Sequence, residues 1–217
     1  MTDHYLRMLD RVEALVRDPE VDLTVPTPAC PGWTAWETIC HQAAVVIDAA
    51  QGRTPDTIPP SDEWTARQVA DHRDRSPDDL LAEWRRSAEA VGSEVLDSPK
   101  IPLLLDGFTH EHDVRAAVGR PGAQDDPAVP ALLDVLVRGF RHRLGDLPPL
   151  ALDDGGTVRS TGEGDPGLVL RGSTFDLLRV LTGRRSRAQA EAMVAEGDLD
   201  RYADHLPLFS WPEEDQP

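Results

Sequence analysis

Apolar residues in this chain recur at helical spacing as far as Leu144, and that period breaks after Pro148-Pro149. One kind of layer cannot absorb both patterns, so the chain must join a helical part to a mixed part. In the helical part, Tyr5, Leu6, Leu9, Val12, Leu15 and Val16 predict an amphipathic helix from Asp3 to Val16. Pro26, Pro28 and Pro31 then enforce an extended loop. Thr34, with Glu37 three residues on, is a capping box that opens a second helix running to about Ala50, with Gly52 as its stop. Residues 53–75 are polar and proline-bearing and read as a long connection holding at most one short turn. Ser76-Pro77-Asp78-Asp79 supplies a cap, a first-turn proline and first-turn acids for a helix whose stripe includes Leu80, Leu81, Trp84, Ala88 and Val91. A fourth helix is expected from Leu103 to Val118, and a fifth from Asp126-Pro127 to Leu144.

Beyond Pro149, Leu150-Ala151-Leu152 and Thr157 to Ser160 flank the turn cluster Asp153-Asp154-Gly155-Gly156, and Leu168 to Leu170 reads as a further strand. Ser173 caps a helix stopped at Gly183; another helix is expected from about Arg187 to Ala195, and the tail from Trp211 reads as frayed. The fold class expected is therefore α plus α+β, with a helical bundle over 1–146 and a small α+β domain over 147–217.

Charge narrows the function. Lys plus Arg total 22 against 39 Asp plus Glu, a formal net charge of -17. Phosphate-rich partners would meet a repulsive average field, so neither nucleic acid nor an anionic membrane surface is the expected partner. No apolar run approaches the roughly 20 residues of a membrane helix, and the charged N-terminus does not read as a secretory signal. Cys30 and Cys40 make neither a disulfide framework nor a four-cysteine zinc site. A soluble cytoplasmic protein is the expectation. Lys100 is the only lysine, an arginine bias that suggests a high-GC genome.

The segment LLLDGFTHEHDVRAAVG carries the chemistry. Asp106 and His110 are four residues apart, about 40° of helical rotation and roughly 6 Å of rise, so both project from one face. A carboxylate and an imidazole so placed can share a divalent cation, and so can an exposed i,i+4 ion pair explain the spacing. A third ligand must come from another element, and His41 on the second helix is the natural one. His110 and His112 point to different sides and cannot both chelate one ion. Asp113, three residues after His110, shares its face and can hydrogen-bond a ligating imidazole. Cys30 reads as a buried packing cysteine rather than a reactive thiol, Cys40 points about 100° away from its neighbour His41, and neither shows a catalytic pairing; Trp33, Trp36 and Trp84 read as bundle core rather than a ligand cage. The chain has no phosphate-loop spacing and no Gly-x-Ser-x-Gly elbow.

Three stretches carry a family resemblance: TPACPGWTAWETICHQA, DGFTHEHDVRAAVGRPG and GSTFDLLRVLTGR. They resemble the mycothiol-dependent maleylpyruvate isomerase family, within the DinB/YfiT-like metal-binding bundles. The resemblance implies a DinB-like four-helix bundle followed by a small sterol-carrier-like α+β domain. It implies His41, Asp106 and His110 as metal ligands, a zinc-like ion and mycothiol as cofactors, and an electrophilic small molecule as substrate. Where the family pattern has Glu, this chain has Asp106, one methylene shorter, so the ion must sit closer to that backbone or the helix must shift. Gly107 beside it weakens the helix by roughly 1 kcal/mol relative to Ala. No substrate-binding or catalytic side chain carries over; Arg171 and Arg184 read equally as anion contacts and as surface charges. The activity implied is thiol activation for isomerisation or S-transfer, and the high-GC signature fits an actinobacterial source. The same ligands suit a hydrolase using a metal-bound water, and a helical protein that binds a small molecule or acts as a sensor without catalysis is the third reading.

Overall fold

Tyr5, Met8, Leu9, Val12 and Leu15 are buried on one side of α1 (His4–Arg17). The expected start at Asp3 lies outside the described residues, which in this computed structural model are 4–53, 55, 56, 60–98 and 103–217. The backbone N–H groups of His4 and Tyr5 donate to the Asp97 carboxylate at 3.1 and 3.0 Å, so an acid distant in sequence satisfies the first turn of α1. α2 (Ala35–Ala50) opens on Thr34 with the expected capping box: Glu37 N–H donates to Thr34 Oγ1 at 3.2 Å, and Thr34 N–H to Glu37 Oε2 at 2.9 Å. Ile39, Cys40, Ala43, Ala44, Val46 and Ile47 bury α2 on several sides, because α3 (Asp62–His72), α4 (Pro77–Val91) and α6 (Leu103–Ala117) all pack against it. The short α5 (Ser93–Leu96) lies between α4 and α6 in the chain.

The connection expected over 53–75 contains α3. Its signals are ordinary ones: Ser61 accepts from Trp64 N–H, Asp62 and Glu63 fill the first turn, and Gln68, Val69 and His72 are buried. Its buried face is mostly polar, so apolar periodicity does not reveal it. Trp84 on α4 is fully buried and donates to Tyr5 Oη at 3.1 Å; burial holds the Tyr5 phenol far above its ordinary pKa.

Residues through Gly122 form one compact unit and those from Ala123 a second. α7 (Ala128–Arg143), assigned to the 1–146 domain by the sequence reading, belongs to the second unit and packs on α8 (Thr174–Leu181). Its Leu132, Leu133, Leu136 and Phe140 need an apolar surface, and α8 offers Phe175, Leu177 and Leu181. The sheet runs β2-β1-β3-β4: β1 (Leu150–Asp153) pairs antiparallel with β2 (Val158–Ser160) and parallel with β3 (Leu168–Arg171), which pairs antiparallel with β4 (Val194–Gly197). Leu150, Leu152, Leu168 and Leu170 are completely buried.

Two expectations for this unit fail. The helix expected to Ala195 stops as α9 (Arg187–Glu191), and Val194–Gly197 form an edge strand instead. The tail is tied down: Gln189 Nε2 donates to Gln216 O at 2.7 Å, Gln216 N–H to Gln189 Oε1 at 3.0 Å, and Arg185 Nη1 to Pro217 O at 2.7 Å. Among the described residues, no helix is long and apolar enough to cross a membrane.

Candidate metal centre

α6 is buried nearly all round and carries polar side chains into the interior, including His110, Glu111, His112 and Asp113. Buried polar groups need partners, and theirs fix where α6 sits. Glu111 is fully buried; Arg11 Nε and Nη2 each donate to it at 2.7 Å, and Arg115 Nε at 2.9 Å. This fork ties α6 to α1. Gly107 permits the close contact of the same two helices, since a Cβ there would lie 2.6 Å from Met8 Cε and 3.1 Å from Tyr5 Cε2. From the other side, Gln42 Nε2 on α2 donates to Gly107 O at 2.7 Å, locking the register of α2 against α6.

That register sets His41 opposite Asp106 and His110. Asp106 Oδ1 lies 3.7 Å from His41 Nε2 and 3.7 Å from His110 Nε2. The two imidazoles meet edge to face with centroids 5.1 Å apart. The three ligand atoms all lie within 4.8 Å of one another. Ligands of a tetrahedral zinc-like ion, at about 2.0–2.2 Å from it, sit roughly 3.4 Å apart. The chemistry of the donor set therefore suits one divalent cation, with Asp106 Oδ1 already close to both imidazoles and the whole set having to draw together from within 4.8 Å. Both histidines are buried, whereas the Asp106 side chain is 29% exposed, so the cluster is reached from the side of the acid.

His110 is oriented by Asp113, whose Oδ2 lies 3.1 Å from His110 Nδ1. A carboxylate accepts, so the proton sits on Nδ1 and the Nε2 lone pair is left for a ligand. His112 leaves this face and packs on Phe108, centroids 4.4 Å apart.

The surroundings contain residues that spacing did not reveal. Cys30 is no mere packing residue: its Sγ lies 3.5 Å from His110 Nδ1 and donates to Asp113 Oδ2 at 3.6 Å. Trp33 is not simply core either; its ring packs on that of His41, centroids 5.1 Å apart and tilted 43°. The sequence separation between Cys30 and His110 conceals the first contact. The proximity of the Pro-Gly-Trp turn to the N-terminus of α2 was the available hint of the second. Cys40 is fully buried, and burial together with the negative charge of Glu37 pushes its thiol up to about 12. In the second unit, Arg171 pairs with Asp153 at 2.9 Å, and buried Arg184 lies over the Phe209 ring at 5.2 Å.

A cleft of about 660 Å³ lies beside α2 and α3, lined by Asp48, Arg53, Gln68 and His72 among others. Its polar groups largely serve one another: Gln68 Nε2 donates to Asp48 Oδ2 at 2.7 Å, Arg53 Nε to Asp48 Oδ1 at 2.8 Å, and His72 Nδ1 to Gln68 O at 2.8 Å.

Residues 5–103 match the family model for the mycothiol maleylpyruvate isomerase N-terminal domain, a stretch that includes the 30–33 turn and His41 and ends before Asp106. No curated protein matches the chain significantly. The fold is similar to a crystal structure of a histidine-to-alanine variant of the mycothiol-dependent maleylpyruvate isomerase, with a TM-score of 0.51 and 16% identity over 88% of this chain and 89% of that one. That likeness concerns the fold. Over residues 5–103, just under half of its length, the chain is thus similar to the mycothiol maleylpyruvate isomerase N-terminal domain family.

Proposed function

We propose that His41, Asp106 and His110 hold a divalent, zinc-like cation, and that the chain is a mycothiol-dependent enzyme of the maleylpyruvate isomerase type or a related thiol S-transferase. The observation that carries this reading is the convergence of the three ligand atoms from α2 and α6. The family match supports mycothiol as the thiol. Three protein ligands leave a further coordination position free, the mark of a catalytic rather than a structural site. Bound there, a divalent cation favours the thiolate form of a coordinated thiol, which is the nucleophile that reversible addition to an unsaturated acid requires.

The chain's own residues prepare that chemistry. Asp113 keeps the His110 proton on Nδ1, so that Nε2 is available as a donor. The buried imidazoles close one side of the centre, and the partly exposed Asp106 marks the side by which a thiol and its substrate arrive. In this reading the helices of the first unit are a DinB-like four-helix bundle built from α1, α2, α4 and α6. The sheet and helices of the second are a sterol-carrier-like domain, and the protein works in the cytoplasm on a small-molecule thiol and an electrophile.

The test is the rate of maleylpyruvate cis–trans isomerisation, and of mycothiol conjugation to a model electrophile, at fixed zinc with and without mycothiol. Activity is expected to require the thiol and to fall at least 100-fold in His110→Ala. Full activity in that variant overturns the reading. Thiol-independent ester hydrolysis by the wild type favours the hydrolase reading instead.

A further inference from the structure

The turn Cys30-Pro31-Gly32-Trp33 reaches both candidate histidine ligands, one with each end. Trp33 packs its ring on His41 of α2, and Cys30 sets its sulfur against Nδ1 of His110 on α6. We propose that this turn is the positioning element of the centre, fixing the two imidazoles relative to each other before an ion binds. The inference rests on the metal reading above and assigns to Cys30 and Trp33 a role in it.

The turn is built to hold a fixed shape. Cys30 N–H donates to Thr27 O at 3.0 Å, Trp33 N–H to Cys30 O at 3.0 Å, and Thr27 N–H to Trp33 O at 2.9 Å. Gly32 sits at φ +88°, in the left-handed region that a side chain would strain. Ala35 N–H donates to Val25 O and Trp36 N–H to Leu23 O, both at 2.9 Å, so the incoming segment is clamped to the start of α2. Thr38 Oγ1 on the first turn of α2 donates to buried Thr27 Oγ1 at 3.2 Å. The turn therefore moves with α2, and through Cys30 it also holds a residue of α6.

The two imidazoles need this help unequally. His110 is oriented by the Asp113 carboxylate, with Cys30 bridging the pair. His41 has no such orienting group: its Nδ1 is buried and finds no hydrogen-bond partner among the described residues. A metal-ligating histidine is normally steered by a hydrogen bond from its outer nitrogen. Here the tilted contact with Trp33, together with the edge of His110, is what limits rotation of the His41 ring. An imidazole already held in its ligating orientation loses less freedom on binding an ion, which raises affinity without any new bond to the ion.

The experiment compares the wild type with Trp33→Ala, Trp33→Phe, Cys30→Ala and Cys30→Ser. Three quantities are read: zinc affinity by chelator competition, the visible spectrum with Co²⁺ in place of zinc, and melting of the metal-free proteins. Trp33→Ala and Cys30→Ala are expected to weaken zinc binding about 10- to 100-fold and to alter the Co²⁺ bands. Trp33→Phe, which keeps a ring, and Cys30→Ser, which keeps a donor, should recover most of the loss, with metal-free melting unchanged throughout. Wild-type affinity and spectrum in both alanine variants overturn the role of the turn while leaving the metal reading intact. No metal uptake by the wild type overturns both. Should Trp33→Ala fail to fold, the Cys30 pair decides by the same outcomes.

Discussion

At the scale of single residues, the centre depends on which atom of each imidazole carries a proton. Asp113 settles this for His110 by charge, since its carboxylate can only accept. Asp113→Asn substitutes a weaker, two-faced acceptor and is expected to lower zinc affinity about 10- to 100-fold with little change in melting, measured by chelator competition and calorimetry. This contact was legible in the sequence because i,i+3 and i,i+4 neighbours on a helix share a face whatever the fold does. The contact of Cys30 with the same imidazole was not, since nothing local links residues 80 apart in sequence. Cys40 shows the opposite case. Its thiol, pushed up to about 12 by burial, stays protonated at neutral pH. Native protein treated with a thiol reagent at pH 8 should therefore leave Cys40 unmodified by mass spectrometry, and denaturant should expose it.

At the scale of elements, the position of α6 decides whether the three candidate ligands meet. Two of the features that hold it each give a prediction. Gly107→Ala improves helix propensity by roughly 1 kcal/mol, yet its methyl would press on Met8 and Tyr5. The Met8 methyl is the free end of a flexible side chain and the Tyr5 ring need give only a few tenths of an ångström, so overpacking of about 1 kcal/mol should offset the propensity gain and denaturant unfolding should show little net change. Glu111→Ala leaves Arg11 and Arg115 without their shared acid and should cost about 3 kcal/mol by the same measurement. Two helices of the first unit were readable from caps and apolar stripes: α2, which carries His41, from Thr34 with Glu37, and α4, which packs on it, from Ser76 with Pro77. α3 was not, because it buries Gln68 and His72 where an apolar stripe would normally be. β4 was not either, because Val194–Gly197 is a mostly exposed edge strand whose pairing with β3 is a tertiary fact.

At the scale of the whole molecule, the change of period near Pro148 correctly announced a mixed unit but misplaced its start. An amphipathic helix does not state which unit will cover its stripe, and α7 is covered by α8. The second unit carries an acid-sensitive corner at Asp154, which is held near 2 by Arg159 and by the backbone N–H groups of Thr157 and Gly156. A carboxyl depressed in the folded state adds stability above its unfolded value of about 3.9, and that stability is lost as pH falls toward 2. Asp154→Asn should thus flatten the pH dependence of unfolding of this unit between about pH 4 and 2, followed by denaturant titration at each pH.

The joining of α2 and α6 by a shared cation remains the centre of the account. It is tested most directly by crystals grown with zinc and measured at the zinc absorption edge. The prediction is one anomalous peak per chain at about 2.0–2.2 Å from His41 Nε2, Asp106 Oδ1 and His110 Nε2, absent in His110→Ala. A zinc-soaked wild-type crystal with no peak between those three atoms, or with its peak on Cys30 and Asp113 instead, would contradict it.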